Sequence, residues 1–292
     1  MLTADYIWID VAREEKMDQI AELKRIGNQA RQDLVEMIYS SQAGHTGGSL
    51  SVIDLLTVLY YAVMDIDPQY PDWENRDRLV LSKGHAAPAL YVTLMRRGFF
   101  STKYINTLRK FNGILQGHPD MNKTPGVDYT SGSLGNGLGV GNGIALAARL
   151  RKATYHTYVI LGDGELQEGT VWESALSTNA LGLSNLTVIV DNNGLQVEDR
   201  TNNIKSLGNL KAKWQSFGFD VVEINGHDYN ALFTTLMDTK KPHEHPIAII
   251  ANTIKGKGIS FIENQINWHK GNFTEQTYMS AIKELNEEAQ CI

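Results

Sequence analysis

Tyr158-Val159-Ile160-Leu161-Gly162-Asp163-Gly164-Glu165, followed downstream by Leu186-Thr187-Val188-Ile189-Val190-Asp191-Asn192-Asn193-Gly194-Leu195, is the pair of stretches that decides the fold. Each opens on a short apolar run, the mark of a strand buried on both faces. Between them, Thr170 to Leu181 carries helical spacing and no proline. Two parallel strands joined by a helix bring their carboxyl ends to one edge of a sheet. Asp163 and Asn193 therefore converge, one offering an anionic oxygen and the other a neutral amide oxygen. Such hard ligands suit magnesium or calcium, with phosphate oxygens and water completing the shell. Gly162, Gly164 and Gly194 let the backbone turn sharply and approach a ligand where a side chain would collide with it.

Working outward, Ile26, Ala30, Leu34, Met37 and Ile38 recur at helical spacing and predict a helix ending near Ser41, before a glycine-rich turn that holds His45. Asp54 to Met64 is a second apolar helix. Leu79-Val80-Leu81 is a short buried strand ending at Ser82-Lys83-Gly84-His85. Helices are expected over 86–97 and 102–111, then a long loop bearing His118, then an alanine-rich helix over 143–150. Strands over 219–224 and 246–254 flank a helix over 229–239 that Asp228 would cap. This alternation predicts an α/β chain with a doubly wound, mostly parallel sheet and helices on both faces. The expected organisation is an amino-terminal extension (1–25), one ligand-binding domain (26–272) and a solvated helical tail (273–292).

The run Gly132-Ser133-Leu134-Gly135-Asn136-Gly137-Leu138-Gly139-Val140-Gly141-Asn142-Gly143 invites a dinucleotide reading. No frame gives G-x-G-x-x-G, and the run follows a loop, whereas that fingerprint follows a strand. Gly256-Lys257 lacks the Ser or Thr and the upstream glycine of a Walker phosphate loop. What remains is a helix amino terminus of low bulk, suited to an anion or a flat ring, or else to close helix packing. His45, His85, His118 and His269 each sit beside glycine or in a loop, where a core role is not expected. As a set they suit chemistry that moves hydroxyl protons and stabilises oxygens gaining negative charge. His156, His243 and His245 carry no motif, and His227 reads as part of a turn before a capped helix.

On these residues the chain resembles the thiamine diphosphate-binding half of transketolase, whose metal motif is the Gly-Asp-Gly to Asn pattern at 162–164 and 193. The likeness extends to Ala43-Gly44-His45-Thr46-Gly47-Gly48-Ser49-Leu50, to Leu81-Ser82-Lys83-Gly84-His85-Ala86, to Gln116-Gly117-His118-Pro119 and to Ser131-Gly132-Ser133-Leu134-Gly135-Asn136-Gly137, spanning roughly 28 to 271. It implies the thiamine diphosphate-binding fold. It also implies a metal (Mg, with Ca or Mn as alternatives) held by Asp163, Asn193 and Leu195. The implied cofactor contacts are His85, Gly132, Ser133, Leu134, Gly162, Asp163, Gly164, Glu165, Asn193 and His269. His45, His85, His118 and His269 match the family's proton-handling histidines around the thiazolium, the diphosphate and the donor sugar. Glu168 matches a buried glutamate that couples the two thiamine sites of a dimer. Its plainer alternative is a helix-start carboxylate stabilised by the dipole, as Glu165 and Glu173 would be.

In transketolases the glutamate that ionises the aminopyrimidine, and the basic residues that grip the sugar phosphate, lie in a domain following this one. The chain ends at Ile292. The resemblance thus implies the amino-terminal subunit of a split transketolase, working with a separate carboxyl-terminal subunit, two of each, on sugar phosphates. The reaction implied is transfer of a two-carbon ketol unit. A deoxyxylulose-phosphate synthase-like carboligase subunit is the enzymatic alternative, since Thr46 stands where transketolases often have proline and Ser49-Leu50 resembles those synthases. A non-catalytic thiamine-binding subunit is the other.

Composition agrees. The chain has 292 residues, 42% hydrophobic and 21% charged, with a formal charge of −6. That charge gives no reason to expect nucleic acid or an anionic membrane as partner. No apolar stretch approaches the ~20 residues of a bilayer span, and no signal peptide is evident. A single cysteine, Cys291, points to a reducing cytoplasm.

Overall fold

The computed structural model describes residues 4–292, with side chains from Lys16 onward. Five strands form one sheet: β1 (Arg78–Leu81), β2 (Thr157–Gly162), β3 (Leu186–Asn192), β4 (Asp220–Asn225) and β5 (Ile247–Asn252). Their order is β1-β2-β3-β5-β4, and every pairing is parallel. In the register of β2 on β3, Gly162 stands opposite Asp191, so the two motif loops leave the sheet side by side.

The helices are α1 (Ala4–Ser41), α2 (Thr46–Leu50), α3 (Ile53–Val58), α4 (Ala87–Arg97), α5 (Gly137–Arg151), α6 (Gly169–Ala180), α7 (Thr201–Lys205), α8 (Leu210–Ser216), α9 (Tyr229–Asp238) and α10 (Glu275–Ala289). Period-2 alternation in the strands builds two cores. Val80, Val159, Leu161, Val188 and Val190 pack with α5, α6 and α8 on one face. Leu79, Leu81, Tyr158, Ile160 and Ile189 pack with α1, α3, α4, α9 and α10 on the other. The chain crosses the sheet from β1 to β4 with α5, α6 and α8 on one face and returns to β5 through α9 on the other. Right-handed crossovers require this change of face when the direction of travel reverses. The doubly wound expectation holds.

Several boundaries differ from those expected. α1 runs without a break through residue 25, and Leu23 already belongs to the core. Ile20 packs against that core too, extending the apolar stripe toward the charged amino-terminal stretch. Residues 1–3 of the expected extension lie outside the described residues. The carboxyl-terminal helix α10 is solvated on one face only, because Ala281 and Leu285 are buried in the main core. Thr274 caps this helix by a reciprocal bond with Thr277. α5 begins at Gly137, six residues earlier than expected from its alanines. The segment expected to be helical to residue 111 is a tighter 3₁₀ stretch ending at Thr107. Asp228 caps α9 as expected, accepting from the amides of Asn230 and Ala231. The run Thr46–Val63 is apolar over 18 residues, longer than expected. It is split among α2, α3 and a π-helical turn, and 89% of it is buried within the protein.

Candidate active site

At the carboxyl edge of β2 and β3 the two motif loops meet around Asp163. Its Oδ2 accepts from the Gly194 amide at 2.9 Å and from the Thr201 hydroxyl at 2.7 Å, and its Oδ1 accepts from the Gly164 amide at 2.9 Å. Asn193 donates through Nδ2 to Asp191 Oδ2 at 3.3 Å and accepts the Leu195 amide through Oδ1 at 3.2 Å. The Leu195 carbonyl accepts from Lys255 Nζ at 3.0 Å. Asp163, Asn193 and Leu195 are thus brought together as expected. Burial, with the nearby negative charge of Asp191, raises the carboxyl pKa of Asp163 despite the Thr201 hydrogen bond. Such a group favours a cation as neighbour.

Two buried lysines supply positive charge here, and sequence reading assigned neither a role. Lys83, on the turn after β1, donates to Asp191 Oδ2 and to the Gly48 carbonyl. Asp191 itself accepts from Ser51, Lys83, Asn193 and Thr253. Burial is the largest influence and would raise its pKa, but the Lys83 charge together with hydrogen bonds from Lys83, Ser51 and Thr253 holds it below the ordinary value. Lys255 donates to the carbonyls of Leu195 and Gln196, both at 3.0 Å, and meets His269 Nδ1 at 2.8 Å. Burial, then the charge of Lys83, lowers its pKa to about 8.

The four singled-out histidines converge above this floor. Ring centroids lie 5.3 Å apart for His45 and His85, 5.3 Å for His45 and His269, 5.5 Å for His85 and His269, and 6.4 Å for His45 and His118. His45 precedes α2, His85 sits on the 3₁₀ turn after β1, and His269 ends another 3₁₀ turn. His118 lies in the long loop, whose Gln116 and His118 carbonyls both accept from the Tyr91 hydroxyl on α4 at 3.0 and 2.9 Å. Burial and neighbouring cations depress all four pKas, to about 4 for His45 and about 3 for His269. At neutral pH they are uncharged imidazoles, able to accept a proton or donate a hydrogen bond. Arg109 and Lys270 contribute to the depression at His45, so two further cations stand near the ring cluster.

The glycine-rich run is used differently from what its composition suggests. Gly132 and Leu134 line the cavity, whereas Ser133 is exposed outside it. A Cβ on Gly137 would fall 2.2 Å from Ser82 Oγ, and one on Gly141 2.4 Å from Val159 Cγ2, so these two glycines serve close packing. Two of the amides around this helix start are already taken. Gly135 donates to Glu165 Oε1 at 2.8 Å and Gly137 to Ser82 Oγ at 3.2 Å. Glu165 is buried and also accepts from Ser82 and from the Gly162 amide at 3.1 Å. Its carboxylate pins three segments together at a 3₁₀ helix start, and Glu165 also lines the cavity. Glu168 lies at the cavity rim and is exposed in the single chain, so any buried role would require a second chain to cover it.

These groups enclose a cavity of about 370 Å³ that also takes in Gly48, Gly162, Gly164 and Gln196. His45 Nδ1 and Gln196 Nε2 are buried there without hydrogen-bond partners, the state expected of groups awaiting a ligand. Among the described residues no cluster of three or more His, Cys, Asp or Glu side chains could hold a metal unaided. One carboxylate, one amide oxygen and one carbonyl instead fit a hard cation that takes its remaining oxygens from a phosphate ligand. The floor therefore suits a diphosphate, and the ring cluster above it suits a reacting carbon centre with hydroxyl neighbours.

Comparison with known proteins agrees with this geometry. The family described as "Transketolase, thiamine diphosphate binding domain" matches residues 23–287. The chain is 41% identical to one subunit of the apulose-4-phosphate transketolase of Phocaeicola vulgatus, over 92% of this chain and 95% of that protein. It is 39% identical to a 6-deoxy-6-sulfo-D-fructose transketolase subunit of a Clostridium species, over 93% and 98%. The crystal structure of transketolase from Campylobacter jejuni superposes with a TM-score of 0.85 at 32% identity, covering 93% of this chain and 43% of that one.

Proposed function

The chain belongs to the transketolase family, through its thiamine diphosphate-binding domain, and from that premise we propose that it is the cofactor-holding subunit of a two-chain transketolase. With a separate second subunit it transfers a two-carbon ketol unit from a ketose phosphate to an aldose phosphate. The observation that carries this is the convergence of four neutral histidines over the Asp163–Asn193 floor. End-to-end coverage of relatives named as subunits, against 43% of a one-chain transketolase, supports the two-chain layout. We place the assembly, two copies of each subunit, in the cytoplasm.

Asp163, Asn193 and the Leu195 carbonyl would hold a divalent cation, magnesium with calcium or manganese as substitutes, whose charge would attract the diphosphate. Lys83 and Lys255 offset the remaining phosphate charge. When bound, thiamine diphosphate supplies the stabilised carbon anion that lets the bond beside a ketone break and re-form. His45, His85, His118 and His269 do the rest. Neutral at pH 7, they hydrogen-bond the sugar hydroxyls, take the hydroxyl proton as the carbon–carbon bond breaks, and donate to the oxygen that gains charge.

The test is ketol transfer from xylulose 5-phosphate to ribose 5-phosphate, with apulose 4-phosphate and 6-deoxy-6-sulfofructose as further donors. It is run with thiamine diphosphate and magnesium on this chain alone and with the product of a neighbouring gene. Activity in the mixture, abolished by a chelator and restored by magnesium, is the expected result. Activity of this chain alone would refute the two-chain reading, and no cofactor binding in either setting would refute the assignment of the site.

A further inference from the structure

The segment after β5 carries Lys255 into the active site, and its backbone is tied on both sides of that lysine. Just before it, the Ile254 amide donates to His227 Nε2 at 2.8 Å. Just after it, the Lys257 carbonyl accepts from Arg31 Nε at 3.1 Å. The holding groups come from the turn before α9 and from α1, yet their other nitrogens meet on one oxygen. His227 Nδ1 and Arg31 Nη2 each lie 2.7 Å from Asp54 Oδ2, and the Tyr229 hydroxyl donates to Asp54 Oδ1 at 2.5 Å. Because Nε2 of His227 accepts, Nδ1 carries the proton and donates, so the ring's orientation and tautomer are set together. Two glycines make room for this convergence. A Cβ on Gly27 would fall 1.9 Å from the Tyr229 oxygen, and one on Gly258 2.8 Å from Arg31 Cδ.

We propose that Asp54, acting through His227 and Arg31, is a clamp that positions Lys255 against the ligand's phosphates. The inference rests on the functional reading above and adds residues that the sequence left outside the site. Gly256 and Gly258 both take positive φ, 85° and 96°, so the backbone around Lys255 is intrinsically permissive and needs external ties to hold one geometry. A buried Arg–Asp pair adds little net stability over a well-packed apolar pair. Its use here is directional: one carboxylate aligns two arms, the arms fix residues 254 and 257, and these fix where Lys255 Nζ sits relative to the Leu195 carbonyl and His269. Asp54, His227 and Arg31 are positioning residues, since none of them lines the cavity.

The arms of His227 can be separated chemically. His227→Asn keeps a donor for Asp54 but has no acceptor at the Nε2 position, whereas His227→Gln can place its amide oxygen there. Leu236→Ala, which removes a buried side chain of α9 without touching the clamp, controls for lost stability. Thiamine diphosphate with magnesium is titrated into the full chain, with and without the second subunit, following tryptophan fluorescence below each variant's melting temperature. His227→Asn is expected to weaken cofactor binding ~10-fold, as loss of an outer support does at a metal site. His227→Gln should recover most of that loss, and Leu236→Ala should bind as wild type does. Wild-type affinity in His227→Asn, no recovery in His227→Gln, or an equal loss in Leu236→Ala would each overturn the clamp. Failure of the wild-type chain to bind the cofactor at all would instead strike the functional reading.

Discussion

Lys83→Met tests whether the lysine–aspartate pair beneath the histidines is the electrostatic floor of the site. The two side chains are 1% and 0% exposed, and methionine fills nearly the same volume as lysine without its charge. The substitution leaves Asp191 buried with the Ser51 and Thr253 hydroxyls and the Asn193 amide, but no cation on its carboxylate. Removing one partner of such a pair costs roughly 3–5 kcal/mol. For a chain of this size that is a fall in melting temperature of about 5–8 °C in cofactor-free protein. Adding Asp191→Asn removes the stranded charge, and the serine and threonine hydroxyls can turn to accept from the new amide. The double variant should therefore recover about 2 kcal/mol relative to Lys83→Met alone, a coupling of the size seen for contacting groups. The sign of the pH dependence follows from the depressed pKa of Asp191. Its contribution is present above the ordinary carboxylate range and is lost as pH falls from that range through its depressed folded-state value, in the wild type but not in the double variant. Urea denaturation of the three proteins at a series of pH values from 7.5 down to 4 measures the losses and their pH dependence, and thermal unfolding measures the shift in melting temperature. A loss under 1 kcal/mol in Lys83→Met, or a double variant no more stable than the single, would refute the charge argument.

Two further outcomes are expected. Burial, then the charges of Lys240 and His243, lowers the pKa of His156 to about 3, against roughly 6.5 in the unfolded chain, so unfolding takes up a proton between those values. Stability should fall with pH below about 6.5 by up to ~1.4 kcal/mol per unit from this residue, and His156→Gln should flatten denaturation midpoints between pH 7 and 5; an unchanged slope would sink the assignment. Gly141→Ala puts a methyl group 2.4 Å from Val159 Cγ2 and should cost about 1–3 kcal/mol despite alanine's better helix propensity, whereas a gain in thermal stability would show that α5 can move off the sheet.

Much of this site was legible along the chain. Asp163 and Asn193 are marked by apolar runs that end in glycine-flanked polar residues, and the four histidines by their places beside glycine or in loops. A parallel crossover then forces Asp163 and Asn193 to one edge, as the Gly162–Asp191 register shows. The length of α1 and the early start of α5 were hidden because the composition there, charged in one and glycine-rich in the other, masks helices that tertiary packing stabilises.

The sequence by itself determined the sheet, its edge and the residue types gathered there, because short apolar runs and glycine turns are read from neighbours along the chain. Only the tertiary structure decided which charges meet. Lys83 finds Asp191 across 108 positions, Glu165 finds Ser82 across 83, and His227 finds Asp54 across 173. No local pattern marks such pairs. A buried charge must have its partner within a few ångströms, and which chain segments come that close is set by the packing of the whole domain.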